Sequence, residues 1–412
     1  MRVSKYLVLG AGIQGSATAY DLKTLGKNVT EIVICDIDRN RLKEVSMWLK
    51  SDIVRTEIVN AGKKAELNKI IERHEPDIVI SAVPWRISMT PIEACLEMGV
   101  SLLDYGVYQH PAFYEKADEI HKKSVDMRIT IVPSCGVDPG LVNMLAGFGA
   151  SKMDLVHQIR IYCGGIPAKE VIEEKKPPLG YRIVWSLEGV WTEYTGTCRI
   201  IEDREIKYVD AASGKEEYFF PGIGKLEAFY TDGLGTMLLS DVRETILKGV
   251  RSAFEKTLRW PGHINKINTL KECGLLDDKT LIDINGVKVT PRAIISKILE
   301  PKLKLQEDER DMTLVRVHVS GTIKRVYSRV EYTYTLIDYR DMKTGILSMA
   351  RTTAFTGSII AQLICNKEIT EIGLLPPEKI GANKELFNKV LSEYAKRNIR
   401  IYEEKRVECE IS

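Results

Sequence analysis

The stretch Leu7-Val8-Leu9-Gly10-Ala11-Gly12-Ile13-Gln14-Gly15 spaces three glycines as G-x-G-x-x-G, between an apolar run and a helical pattern. That spacing suits a dinucleotide. Gly10 permits a tight turn, Gly12 lets backbone approach a pyrophosphate, and Gly15 allows a helix to pack closely on a strand. Ile13 and Gln14 open the helix, where free N–H groups and the positive end of the dipole favour an anion. The next strand pattern ends in Cys35-Asp36, and an acid there accepts the adenosine ribose hydroxyls. A carboxylate repels a 2′-phosphate, so Asp36 favours NAD, while Arg39 and Arg41 leave NADP possible. The fourth strand pattern closes in Ser81-Ala82-Val83-Pro84-Trp85 and the fifth in Asp104-Tyr105-Gly106. Both strand ends belong at the rim where such a sheet holds its ligand. Ser81, Ala82, Val83 and Pro84 are placed along the nicotinamide ribose, and Trp85 toward the substrate.

These residues need a doubly wound α/β scaffold. Six short apolar runs between residues 6 and 133 alternate with helical patterns at Ser16–Leu25, Asn40–Leu49, Lys64–Arg73, Pro91–Met98 and Ala112–Lys122. Strands apolar along their whole length, joined by helices, read as a parallel sheet covered on both faces. Beyond Cys135 the pattern changes. Asp138 reads as an N-cap and Pro139 as the first residue of a helix running on through Leu141–Phe148. Period-two alternation at Leu314–Val319 and Arg329–Ile337 predicts antiparallel strands with one buried face. Helices are expected over 241–257, 291–299, 346–365 and 383–397, and a last strand over 399–403. The predicted architecture is a Rossmann domain (1–135) and an α+β catalytic and oligomerisation domain (136–345) with a largely antiparallel sheet. A C-terminal segment (346–412) is expected to return to the Rossmann domain.

Composition narrows the partners. With 59 basic and 57 acidic residues interspersed, net charge +2, no basic face for nucleic acid is expected. No run of 18 apolar residues suggests a membrane span, and Met1–Leu9 carries no signal-peptide cleavage pattern. The eight cysteines, Cys409 included, show no C-x-x-C spacing, which fits reduced thiols in a cytoplasmic protein without a metal site.

Five further strings occur in order: Cys135-Gly136-Val137-Asp138-Pro139-Gly140; Trp185-Ser186-Leu187-Glu188-Gly189-Val190 with Glu193-Tyr194; Phe229-Tyr230-Thr231-Asp232-Gly233-Leu234; Lys256-Thr257-Leu258-Arg259-Trp260-Pro261-Gly262-His263; and Gly373-Leu374-Leu375-Pro376-Pro377-Glu378. Together they resemble the saccharopine dehydrogenase family over nearly the whole chain. The resemblance implies a nicotinamide-linked reaction at a carbon–nitrogen bond of lysine or a lysine conjugate. Its branches oxidise saccharopine, oxidise free lysine at the ε-carbon to allysine and ammonia, or make and break carboxyspermidine-type conjugates. Glu188 stands where the glutamate-forming saccharopine enzymes carry an arginine. A glutamate attracts ammonium instead of clamping carboxylate, which tilts the expected substrate toward lysine or another diamine. The contrasting reading is a sensor that holds NAD(H) without turnover.

Hydride departure from an amine needs the nitrogen deprotonated, so a base belongs within hydrogen-bond reach. The candidates are Asp104, Asp138, Asp232 and His263, the last expected on an exposed Pro-Gly turn where its ring could titrate. Each also has a structural reading: Asp104 and Asp138 as caps, Asp232 as a turn residue, His263 as a turn's hydrogen-bond partner. Arg259, then Lys256, is the candidate for a substrate carboxylate; Glu188 and Glu193 could face its ammonium groups. Cys135 and Gly136 are placed at the cleft mouth. A homodimer is expected by fold analogy.

Overall fold

Strands buried on both faces need helices above and below, and the first 132 residues supply them in alternation. The computed structural model describes residues 3–323 and 328–408; Met1, Arg2 and Cys409 lie outside them. Strands β1 (Ser4–Leu9), β2 (Val29–Asp36), β3 (Val54–Ile58), β4 (Ile78–Ser81), β5 (Ser101–Asp104) and β6 (Thr130–Val132) alternate with five helices. These are α1 (Ile13–Leu25), α2 (Arg39–Leu49), α3 (Lys64–His74), α4 (Met89–Met98) and α5 (Ala112–Asp126).

After α6 (Leu141–Ala150) come β7 (Leu155–Pro167), α7 (Leu187–Tyr194), β8 (Thr197–Glu202), β9 (Glu205–Asp210), β10 (Glu216–Phe220) and β11 (Gly224–Tyr230). Next are α8 (Ser240–Thr245), β12 (Ser252–Arg259), α9 (His263–Glu272), β13 (Ile282–Ile284), β14 (Val287–Val289) and α10 (Pro291–Leu303). The chain closes through β15 (Asp311–Ile323), β16 (Ser328–Tyr339), α11 (Ser348–Cys365), β17 (Gly373–Leu374), α12 (Pro377–Ala382), α13 (Lys384–Lys396) and β18 (Ile401–Glu408).

The first sheet is parallel, in the order β17-β6-β5-β4-β1-β2-β3. This is the Rossmann sheet the alternation predicts, extended at one edge by β17 from the far end of the chain, which pairs parallel with β6. The second sheet has nine strands: β10-β11-β12-β7-β15-β16-β18 in order, with β8 joined to β12 and β9 to β8. It is antiparallel except where β12 runs parallel to β7. The last segment therefore serves both sheets: β17 enters the first, and β18 pairs with β16 of the second.

Helix α11 forms the wall between them. It touches α1, β4 and β5 on one side and β15 and β16 on the other, and it is buried almost end to end. Its hydroxyls find partners within the helix and beside it; Thr352 donates to the Ser348 carbonyl at 2.9 Å and the Ser348 hydroxyl to Asp338 Oδ2 at 2.9 Å, so a polar composition survives burial. No helix among the described residues is long and apolar enough to cross a membrane.

Two expectations fail here. The helix over 241–257 is only the short α8, and residues 252–259 are a central strand, buried along most of its length and paired on both sides. Asp138 is not an N-cap. Gly140, at φ +132°, turns the chain into α6, and its N–H donates to Asn143 Oδ1 at 2.9 Å. Asp138 is thereby freed from the helix end.

Candidate active site at the domain junction

At the glycine loop, backbone geometry assigns a separate task to each glycine. A Cβ on Gly15 would lie 1.8 Å from the Gly10 carbonyl oxygen, and one on Gly10 would lie 2.6 Å from that of Ala82. A Cβ on Gly12 would meet nothing within 4 Å. Gly10 and Gly15 thus serve the fold, while Gly12 keeps space open above the start of α1. No side chain caps that helix, so its first N–H groups are available to an anion. Ile13 is exposed, and Gln14 Oε1 is buried without a hydrogen-bond partner. Asp36 Oδ2 accepts from the Ala11 N–H at 2.7 Å and Oδ1 from the Asp38 N–H at 2.9 Å. That braces the carboxylate at the strand end, and each oxygen retains a lone pair for a ribose hydroxyl. Arg39 and Arg41 are exposed beside it, Arg41 3.7 Å from Asp38. These residues fit a nicotinamide dinucleotide.

The rim follows at β4 and β5. Ser81 pairs in register with Asp104, and both are fully buried. Asp104 Oδ1 accepts from the N–H groups of Gly106 (2.6 Å) and Val107 (2.5 Å), so it caps the turn after β5. Burial pushes its pKa up to about 6 despite those donors. Ala82, Val83 and Pro84 carry the backbone past the loop, the Ala82 N–H donating to Leu9 O at 2.8 Å. Trp85 is stacked by the Arg86 guanidinium at 4.7 Å, and its indole N–H is buried without a partner. Arg86 Nη1 reaches across to Glu188 Oε1 at 3.3 Å. Glu188 is exposed at the mouth and paired to the other domain, which differs from the ammonium-facing role its position in the motif suggests.

Facing this rim, β12 presents Glu255, Thr257 and Arg259 on one face. Glu255 is buried. It takes the Thr231 hydroxyl, which lies 2.9 Å from that of Thr257, while Glu255 Oε1 has no hydrogen-bond partner. Asp138 lies beside the thiol of Cys163 on β7, and its Oδ1 is likewise buried and unpartnered. From α7, Glu193 extends to Arg259. The three carboxylates repel one another: burial first, then Glu193, raises Asp138, and burial, then Asp138, raises Glu255. Burial also raises Glu193, opposed by Arg259.

Several predicted residues stand elsewhere in this arrangement. Arg259 is fully buried, and its Nη2 donates to Glu193 Oε2 at 2.6 Å while Nε donates to Tyr194 Oη at 3.1 Å. Its charge is thus already matched within the protein. His263 is not on an exposed turn but buried at the start of α9. Burial, then the nearby Arg259 charge, lowers its pKa to about 3. The neutral ring donates from Nδ1 to the Leu179 carbonyl at 2.9 Å and accepts the Tyr194 hydroxyl at Nε2, also at 2.9 Å. That removes it as a titrating base near neutral pH. Asp232 is forked by Arg199, at 3.0 Å from Nε and 2.6 Å from Nη2. Arg199 also donates to the Tyr108 carbonyl at 3.2 Å and lies over the Tyr114 ring, tying the second domain to the Rossmann rim. Lys256 points to the opposite face of β12, donating to Gly214 O at 2.7 Å. Cys135 is buried, its thiol pushed well above the ordinary range. The Gly136 N–H closes the turn on Pro139 O at 2.9 Å.

Glu255, Cys163, Thr231, Arg199 and Arg86 are the residues sequence reasoning missed. A period-two reading of Glu255-Lys256-Thr257-Leu258-Arg259 would have grouped Glu255 with Arg259; nothing in the sequence pairs Cys163 with Asp138.

A dinucleotide loop on a parallel sheet, opposed by an acidic cluster on a mixed sheet, defines a two-domain nicotinamide-dependent oxidoreductase. The comparisons name its family. The saccharopine dehydrogenase NADP binding domain matches residues 6–132 and the saccharopine dehydrogenase C-terminal domain matches residues 136–399. The chain belongs to the saccharopine dehydrogenase family and is a dehydrogenase. Among relatives, it is 24% identical to a saccharopine dehydrogenase [NADP(+), L-glutamate-forming] of Schizosaccharomyces pombe, over 84% of this chain and 87% of that one. It is 22% identical to carboxyaminopropylagmatine dehydrogenase of Synechocystis, over 82% of each. The rat mitochondrial alpha-aminoadipic semialdehyde synthase is 24% identical over 94% of this chain, which spans only 46% of that protein. The apo saccharopine dehydrogenase (L-Glu forming) of Saccharomyces cerevisiae shares the fold, with a TM-score of 0.76 at 20% identity over 98% of this chain and 100% of that one.

Proposed function

We propose that this enzyme oxidises the C–N bond of an amine-rich substrate, with free lysine as the leading case: hydride passes from the ε-carbon to the nicotinamide, and water hydrolyses the resulting imine to allysine and ammonia. The observation that carries this reading is the cluster of Asp138, Glu193 and Glu255, three carboxylates served by one guanidinium. Arg259 is held by Glu193 and Arg199 by Asp232, so the cluster offers a ligand carboxyl groups that ionise beside a cation, and these two guanidiniums are already matched. An ammonium relieves that repulsion; a ligand with several carboxylates adds to it.

Bound nicotinamide supplies the hydride acceptor. Asp138 is assigned as the base: a carboxyl raised by burial and like charge is a stronger proton acceptor than an ordinary aspartate, and an arriving ammonium stabilises its ionised form. Glu255 is assigned to hold the ammonium, and Trp85 to close the apolar side. Asp36 supports NAD over NADP. The scarcity of unmatched cations equally favours a second reading, a carboxyspermidine-type conjugate, in keeping with the Synechocystis relative's name. A cytoplasmic homodimer belongs to the same proposal; the seven described cysteines are free thiols, which supports a reducing setting.

The test is a panel of lysine, saccharopine and carboxyspermidine-type substrates with each cofactor, followed by the absorbance of reduced nicotinamide. Turnover with lysine or the polyamine conjugate is expected; turnover with saccharopine alone would overturn the substrate assignment. Asp138→Asn should lower kcat by about a hundredfold or more with dinucleotide affinity unchanged. Full activity in that variant removes Asp138 as the base.

A further inference from the structure

On the solvent face of the second sheet, away from the junction, β7 and β15 lose register by one residue. Ser320 pairs with Gln158, but the next residue, Gly321, pairs with Val156. His157 is the extra residue of a β-bulge, and its carbonyl accepts from the Arg251 N–H at 2.8 Å. A bulge turns two successive side chains toward one side, which regular alternation forbids. His157 and Gln158 accordingly both line one pocket of about 420 Å³, together with Arg251, Ser320 and Arg329. Arg251 and Arg329 are exposed, and among the described residues neither forms an ion pair. The acids on this side are engaged elsewhere. Glu331 is 2.6 Å from Arg160 and 3.5 Å from His318; Glu408, opposite Arg329 in the ladder, is 3.1 Å from Arg406; Glu202, opposite Ser252, is 2.7 Å from Lys207. Cys163 of the candidate active site lies six residues further along β7, about 20 Å away at strand spacing.

We propose that this pocket is a second ligand site, one that binds a phosphate group. Two guanidiniums fork to its oxygens, His157 adds a donor, and Ser320 and Gln158 supply neutral hydrogen bonds. The positive charges of Arg251 and Arg329, secondary to burial, hold His157 below its ordinary value. A bound dianion reverses their sign of influence.

The His157 ring therefore reports on occupancy. Its NMR titration is followed in the dinucleotide-saturated enzyme, so that the glycine loop is already filled, with His157→Gln identifying the resonance. Inorganic phosphate and a phosphate monoester, titrated separately, should each raise the His157 midpoint by about one pH unit. A response to the monoester alone assigns the site to an organic phosphate. Chloride at equal ionic strength should leave the midpoint in place, and an Arg251→Gln/Arg329→Gln double variant should abolish the rise while keeping dinucleotide affinity. The proposal is overturned if neither phosphate moves the midpoint, if chloride moves it as far, or if the double variant responds like the parent. None of these results bears on the amine substrate.

Discussion

Arg259 illustrates how a residue type can be read correctly and its partner missed. A guanidinium within a Lys-Thr-Leu-Arg string suggests a clamp for a substrate carboxylate, but the buried Arg259 is committed to Glu193 and Tyr194. Its removal leaves Glu193 uncompensated beside Asp138 and Glu255. Arg259→Met should therefore destabilise the protein by about 3–5 kcal/mol in urea unfolding; a loss below 1 kcal/mol, with a raised substrate KM, would restore the clamp. Glu378 behaves differently. It is fully buried and accepts from Asn143 Nδ2 at 2.6 Å and the Thr236 hydroxyl at 2.7 Å, joining α12, α6 and the turn after β11. Burial raises its pKa from 4.5 to about 7 despite those donors. A raised carboxyl binds more protons in the folded state, so its contribution is full below pH 4.5 and is lost as pH climbs through 7. Between those values the thermal midpoint of Glu378→Gln should fall less steeply than that of the parent. Identical slopes would remove Glu378 from the titration.

At the scale of elements, the glycine loop was legible because its function rests on backbone, and backbone tolerances are carried by residue type alone. The three glycines nonetheless separate by experiment. Gly15→Ala forces a Cβ into the Gly10 carbonyl and should lower the thermal midpoint sharply. Gly12→Ala meets no protein atom and should keep the parent's midpoint while weakening dinucleotide binding about tenfold or more. Equal midpoints in both variants would contradict this division. Strand β12 was illegible for the opposite reason. Its charged residues imitate an amphipathic helix in sequence, and only the neighbours β7, β8 and β11 make it a central strand. Asp138 beside Pro139 imitates a helix cap in the same way, since the chain turn that frees it depends on Gly140.

At the scale of the molecule, polar ties join the two domains: Arg86 to Glu188 at the exposed mouth, Arg199 to the Tyr108 carbonyl deeper in, and the Tyr114 hydroxyl to the Gly235 carbonyl at 3.0 Å. The outer tie lies in solvent and should contribute little. Glu188→Ala is expected to change the unfolding free energy by less than about 0.5 kcal/mol, and high salt should leave the parent equally stable. A larger loss would make the outer pair a structural fastening. The permanent joining falls to α11, whose two sides serve both sheets, and to β17 and β18, which complete one sheet each.

Regular alternation and glycine spacing are local properties, so the order of residues alone carries the Rossmann half, its loop and acid, and the family. The tertiary structure alone decided which charges are spent and which are offered. Arg259, Asp232, His263 and Lys256 each find protein partners contributed by distant segments, while Asp138 and Glu255 keep oxygens unpartnered at the junction. Pairing between residues far apart in the chain is set by packing, which no spacing records.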